Sequence, residues 1–421
     1  QITLRGTNYM KSWSLLLVSL VFLLALTACG NEQAPLPTPI PAPTTDAAVT
    51  AVSQTAPTAA PTTGPATLPP PPTLAPAATN TPMPEATLDP ALEPVTLLTA
   101  ADFGDNRNPL TGELVADPAD LQRRPLVVKI PNAPASYVRP QSGLNDADII
   151  YEHLAEGSVT RLSAIFYGNI PEKIGPIRSA RLIDLELPAM YDAALVYSGA
   201  GIGVSRRLAE SDFNSRILRS NVQGYYRSDE PNKPTEATLY VNPEGLYQEL
   251  EDRGLNTAPN FNQVMAFSTE APEGGQPATN LKIDYIWEEV EWRYNEEDGR
   301  YYRYGDGEPI LDGNTDEQAS TANVVIITPY HVQDPSICEQ VDANGQCVAQ
   351  SVQIQLWGSG AGGIVMRDGQ QYPVTWHREG RNDLLTFTDA EGNPFPLKVG
   401  NTWVQIVPTW RGYENAVQIT P

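Results

Sequence analysis

Cysteine and histidine are scarce in this chain, at three of each in 421 residues. That shortage leaves few ligands for a structural zinc shell, and no metal or cofactor is expected. Basic residues are also few. Lys and Arg number 27 against 50 Asp and Glu, for a net charge of −23. No basic run interrupts the acidic excess, so a phosphate backbone would be repelled and nucleic acid is excluded as a partner. No internal repeat of fixed period is present. The apolar run from Trp13 to Leu26 is broken only by serines and is too short to span a bilayer comfortably.

That run follows Met10-Lys11 and ends in Leu26-Thr27-Ala28-Cys29-Gly30, the order of features in a bacterial lipoprotein signal peptide. Residues 10–28 are therefore expected to be the signal, and Cys29 the lipidated first residue of an extracytoplasmic, membrane-attached protein. A signal anchor with an incidental cysteine is the competing reading. Gln1 cannot initiate translation, so Met10 is the expected start and residues 1–9 lie upstream. From Asn31 to Val95 the chain is dominated by Pro, Thr and Ala, with no Lys, Arg or hydrophobic periodicity. Residues 29–96 read as a disordered tether, with a fully extended polyproline II reach on the order of 200 Å.

Cys338 and Cys347 flank a turn-forming Asp342-Ala343-Asn344-Gly345. In an oxidising compartment they are expected to form a disulfide that contributes roughly 2–3 kcal/mol and staples a local hairpin. Zinc is the alternative, but two thiols leave a tetrahedral shell half empty.

The remaining length suits two domains, 97–270 and 278–421, separated by the turn formers from Glu270 to Pro277. In the first, Leu126–Ile130, Asp148–Leu154, Arg161–Tyr167 and Ala193–Tyr197 read as strands. Ser179–Leu187, Gly203–Ser211 and Pro243–Arg253 read as helices, with Pro188 ending or kinking the first of them. In the second, hairpins are expected from Val290–Tyr294 into Arg300–Tyr304, around Asp368-Gly369, and around Glu391-Gly392-Asn393. The fold class is α+β: a mixed α/β N-terminal domain followed by an all-β C-terminal domain, a sandwich or partly closed barrel.

Arg139-Pro140-Gln141-Ser142-Gly143-Leu144, Ala147–Glu152, Glu156-Gly157 and Thr160-Arg161 resemble the YerB-like lipoproteins, a family of unknown function. Glu172–Arg181 and Asn108–Gly112 extend the resemblance. Trp292–Tyr294, Tyr302-Arg303, Asp312, Asn323–Val325 and Gly360–Gly363 carry it more diffusely through the C-terminal half. The resemblance implies architecture and location, and it supplies no catalytic residues. The glycine-rich Ser198–Gly203 departs from what relatives would lead one to expect.

Arg178 and Arg181 are three apart at an expected first helical turn, with Ser179 as N-cap. Cations there oppose the helix dipole and call for an anion. With Arg161, they are expected to line a pocket for a carboxylate or phosphate ligand. An internal partner among Glu152, Glu156 and Asp184 is the alternative. On a strand, Glu152 and Glu156 would share a face opposite His153, a spacing that could divide acid and base roles in glycan cleavage or serve the arginines. Gly199-Ala200-Gly201-Ile202-Gly203 lacks the dinucleotide fingerprint and reads as a tight turn. Asp312–Asp316 begins like a calcium loop, but Glu317 and Asn323 stand where Gly and Glu are needed. Trp287, Trp292, Tyr301, Tyr302, Tyr304, Trp376, Trp403 and Trp410 could stack on sugars, but at alternating hairpin positions they read as sheet-packing residues. His153, His331 and His377 sit in no local nucleophile motif.

The leading reading is a non-enzymatic, lipid-anchored cell-envelope protein that binds an anionic cell-wall or protein ligand through an Arg-lined pocket. The alternative is an envelope glycan hydrolase or transferase using Glu152 and Glu156.

Overall fold

Apolar and β-branched runs, bounded by turn formers, build the centre of the molecule. The computed structural model describes residues 97–98 and 100–421. The signal segment 10–28, Cys29 and the tether up to residue 96 lie outside the described residues. Five strands come from the first half: β1 Leu126–Pro131, β2 Ile149–Leu154, β3 Thr160–Phe166, β4 Ala194–Tyr197 and β5 Ile217–Arg219. Every residue of β1 to β4 is buried, because both faces of their sheet are covered. β3 lies antiparallel between β1 and β2, and β4 continues in parallel from β1 to β5.

On its other edge, β2 pairs in parallel with Thr402–Ile406, placing Glu152 opposite Gln405. That strand runs parallel to Asn323–Ile327, which passes antiparallel into Gly358–Arg367 and the Gln370–Arg378 hairpin arm. An 11-stranded mixed sheet thus draws on both halves of the chain. Alternate side chains feed two cores. Val127, Ile149, Tyr151, Val325 and Val404 enter one, and Val128, Ile150, Val324 and Trp403 enter the other.

The antiparallel strands Asn280–Asp284, Glu289–Asn295, Arg300–Gly305 and Val417–Thr420 belong to a second, six-stranded sheet. Its Trp292 meets Trp403 edge-on at 5.0 Å, so this sheet shares the second core. A hairpin of His331–Val341 and Cys347–Ile354 carries the Cys338–Cys347 disulfide. Ile337 of the hairpin sits where a Cβ on Gly203 would approach to 2.6 Å, which seats it against the Ile202–Ala209 helix. The Pro243–Asp252 helix starts with Asn242 accepting from Gly245 N at 3.3 Å and Pro243 in its first turn. Beyond residue 278 the described elements are strands only. The class is α+β, and the sheets are not closed into a barrel.

The helix expected over Ser179–Leu187 does not form as such. Arg178 N donates to Lys129 O at 2.8 Å, Ser198 N to Arg178 O at 2.9 Å, and Ala180 N to Gly199 O at 3.0 Å. These bonds hold 178–180 extended between the ends of β1 and β4, and a helix there would break them. The first helical turn is the 3-10 segment Leu182–Leu185. Arg181 precedes it as N-cap and donates its N–H to Asp184 at 2.6 Å. Pro188 lies in the first turn of the short helix Leu187–Met190 that follows. Ser179 is therefore not the cap, and Arg178 and Arg181 do not share a helical face.

Candidate functional site

Successive residues of β2 point to opposite faces of the sheet, so His153 and Glu152 enter two separate polar clusters. On the His153 face, Lys129 Nζ lies 2.6 Å from His153 Nε2, 2.8 Å from Ser163 Oγ, and 3.1 Å from Asp184. Ser163 donates to Asp184 at 3.0 Å. With Nε2 accepting from the ammonium, His153 keeps its proton on Nδ1 and donates to Leu154 O at 2.9 Å. Burial pushes Lys129 down to about 8 even with Asp184 opposing, and burial with the Lys129 charge depresses His153 well below its ordinary value. Ser, Lys, His and Asp are the ingredients of a hydrolytic centre, but all four are closed to solvent.

Over this core lies a layer of arginines. β2 ends at Leu154, and the 3-10 turn Glu156–Ser158 carries Glu156 away from the strand. Arg181 donates through Nε and Nη2 to both Glu156 oxygens, and through Nη1 to Ala180 O at 2.8 Å. Arg161 reaches Glu156 at 3.0 Å and Ser179 O at 2.7 Å. Burial would raise the Glu156 carboxyl, but the Arg181 hydrogen bond and the Arg161 and Arg181 charges hold it at about 2. Burial first, and then the neighbouring Arg181, lower Arg161 to about 10. Ser179 Oγ donates to Ser198 O at 3.2 Å. Arg178 is half-buried and makes no side-chain hydrogen bond or ion pair among the described residues. Among the described residues, the ion pairs of Lys129, Arg161 and Arg181 thus go to two carboxylates, Asp184 and Glu156, and Arg178 has none. The Cys347–Ile354 strand packs against the Glu156–Ser158 and Leu182–Leu185 turns and walls one side of the layer. Glu339 of the same hairpin lies against Gly201 and forms no ion pair among the described residues.

On the opposite face, Glu152 is fully buried. Its Oε1 accepts from Asn132 at 3.1 Å, Thr160 at 3.0 Å and Arg303 at 3.0 Å. Its Oε2 accepts from Trp403 at 3.1 Å, Gln405 at 3.0 Å and Arg303 at 3.2 Å. The expected pairing of Glu152 with Glu156 is corrected here, because one lies under each cluster and each is held by its own arginines. The carboxylate that does neighbour Glu152 is Glu288. It shares the Asn132 amide at 2.7 Å and is paired with Arg139. Sequence reading missed it, since Asn132 lies 156 residues away and no local motif links them. Burial raises the Glu288 carboxyl, with Glu152 adding to the rise and Arg303 and Arg139 opposing it.

The other residues singled out in the sequence are dispersed. Asp312 accepts from the backbone N–H groups of Gly143 at 3.1 Å and Asn145 at 2.9 Å, tying the Arg139–Leu144 block to the C-terminal half. His331 packs edge-on to Trp410, and His377 meets Thr388 Oγ1 at 2.8 Å. Trp292, Tyr301, Trp376 and Trp403 are core residues, whereas Trp287 is exposed. Among the described residues no group of His, Cys, Asp or Glu converges as a metal site, and no helix is long and apolar enough to cross a membrane.

Residues 110–256 match the N-terminal domain model, and residues 281–404 the C-terminal domain model, of a protein family of unknown function, DUF3048. The protein named "Putative lipoprotein YerB" of Bacillus subtilis (strain 168) is 28% identical over 306 residues, which covers 71% of this chain and 86% of that one. The crystal structure of YerB protein from Bacillus subtilis matches with a TM-score of 0.61 at 27% identity, over 75% of this chain and 99% of the other. With both domain models in order along its length and a relative alike across the described head, the chain belongs to the DUF3048 family, the family of YerB.

Proposed function

We propose that this protein is an extracytoplasmic lipoprotein, anchored through Cys29, whose head binds an anionic ligand of the envelope at Arg178. The anchoring is supported by the Leu26–Gly30 pattern and by the name of the Bacillus subtilis relative. The observation that carries the binding is the pairing in the arginine layer, where among the described residues three of the four cations form ion pairs with two carboxylates and Arg178 is left without one, in a chain whose net charge is −23. Arg161 and Arg181 are spent on Glu156 and on backbone carbonyls. They act as positioning groups, and their field keeps Arg178 in need of an anion. Arg178 keeps its guanidinium donors for a carboxylate or phosphate. Glu152 is saturated by its donors and Glu156 is locked by two arginines, so this reading assigns no catalysis to them.

Calorimetric titration of the purified chain with tripolyphosphate tests the proposal. Wild type should bind with an affinity that falls as salt is added, and Arg178→Ala should bind at least about tenfold more weakly, as expected for one charge-assisted hydrogen bond. Equal binding by the two proteins would remove Arg178 from the account.

A further inference from the structure

Outside the arginine layer, on the other face of the central sheet, a cleft of about 270 Å³ opens beside Trp287. The turn joining Asn280–Asp284 to Glu289–Asn295 drives its two ends inward. Tyr285 is buried, with its hydroxyl donating to Gln405 at 3.0 Å, and Glu288 reaches the Asn132 amide. The two residues between them point out: Ile286 is 52% exposed and Trp287 is 71% exposed. Ile286 adopts φ 73°, a left-handed conformation that a β-branched residue avoids. Asp284 holds it there by accepting Ile286 N–H at 2.7 Å. A strained residue thus presents an indole to solvent at the edge of a hollow whose wall is largely apolar, with Ala133, Pro134 and Val159 beside the polar Asn132 and Glu288.

One donor in the floor of that hollow is oversubscribed. The Asn132 amide has two hydrogens, yet three acceptors crowd its Nδ2: Glu288 and Thr160 at 2.7 Å each and Glu152 at 3.1 Å. Arg139 is committed to Glu288 and to Asn132 Oδ1, and Asp306 adds a further carboxylate at the rim. Three carboxylates, Glu152, Glu288 and Asp306, against the two guanidiniums of Arg139 and Arg303 disfavour an anion. Glu288 and Asp306 in the lining can accept further hydrogens from a ligand's hydroxyl or amide groups, and the indole calls for one with a flat apolar face. The volume lies just below the usual roughly 300–1,000 Å³ of small-molecule pockets, which suits a single ring.

We infer that the cleft between Trp287, Glu288 and Asn132 is a carbohydrate subsite that takes one neutral pyranose unit, stacked on Trp287 with hydroxyls donating to Glu288 and Asp306. The subsite goes beyond anion binding at Arg178 and is independent of it.

The test is calorimetric titration of the full chain with triacetylchitotriose and with cellotriose at millimolar concentrations. At least one sugar should give saturable binding in wild type. Trp287→Ala, which removes an exposed side chain, should keep the unfolding midpoint and weaken binding by at least about tenfold. Glu288→Gln should weaken it as well, while tripolyphosphate binding stays unchanged in both variants. Three results would each overturn the inference: no saturable heat from either sugar, sugar binding that survives Trp287→Ala, or Trp287-dependent binding of trilysine in place of the sugars.

Discussion

Replacing Arg181 by alanine separates the structural part of the arginine layer from its binding part. Arg181 is buried, its guanidinium spans both oxygens of Glu156, and it caps Ala180 O at 2.8 Å. Glu156 titrates at about 2, against an ordinary 4.5, in spite of its burial. That difference corresponds to about 3 kcal/mol of preference for the ionised carboxylate in the fold. Arg161 remains at 3.0 Å after the substitution, so part of the preference survives. Relief of the repulsion that Arg181 exerts on Arg161 and Lys129 returns a little more. The lost hydrogen bonds and packing act in the other direction, and the net cost should be about 2–3 kcal/mol at neutral pH. The sign of the pH dependence follows from the depressed pKa. A carboxylate lowered in the folded state stabilises fully above its unfolded pKa, near 4.5, and the contribution is lost as pH falls toward about 2. Urea unfolding of both proteins from pH 7 down to the acid limit of the fold should therefore show a gap that is widest at neutral pH and narrows below about pH 4.5. A gap under about 1 kcal/mol at neutral pH, or one that stays constant with pH, would refute this account of Glu156 and Arg181.

Three further outcomes are expected. Glu152→Gln strands the buried Arg303 guanidinium and disturbs the Trp403 and Gln405 donors, and should lower stability by about 3–5 kcal/mol in urea unfolding; a change within error would mean that Glu152 does not tie the halves together. Lys129 is depressed to about 8 in the fold, so the folded state binds fewer protons than the unfolded chain between that pH and 10.5, and stability should rise across the window. Wild type should gain up to about 3 kcal/mol there relative to Lys129→Met, and parallel stability curves would contradict the depressed pKa. Cys29→Ser should release the protein from the membrane fraction, and unchanged detergent partition of the variant would remove the lipid anchor.

Local pattern made much of the fold readable. β1 to β4 stand within a residue or so of their expected ends because continuous apolar runs bounded by Pro, Gly and Asp leave few other choices. The Glu289–Asn295 and Arg300–Gly305 hairpin follows from its alternation, and the disulfide from its compartment and turn. What was not legible depends on partners far away in the chain. Nothing local to Ile149–Leu154 announces that Thr402–Ile406 will be its neighbour. The helix expected from Ser179 failed because Lys129 O, Ser198 N and Gly199 O bind that segment in extended form. The same limit applies to the sites. The spacing of the arginines suggested a shared helical face that is not there, and the anion that Arg161 and Arg181 meet is the internal Glu156 weighed as the alternative. The turn that sets Trp287 apart from its buried counterparts, and the neighbour Glu288, emerge only once Asn132, Arg139 and Arg303 converge on them.

The most direct test of the central claim is side-chain nitrogen NMR of the arginines, since the claim is that Arg178 holds the open valence of the layer while Arg161 and Arg181 are satisfied internally. In the free protein, the Arg161 and Arg181 guanidinium signals should be protected from solvent exchange and that of Arg178 should exchange freely. Adding tripolyphosphate should shift and protect Arg178 and leave the other two in place, with the assignment confirmed by loss of the signal in Arg178→Ala. If Arg178 is already protected in the free protein, or if phosphate shifts Arg161 and Arg181 instead, the proposed anion site is wrong.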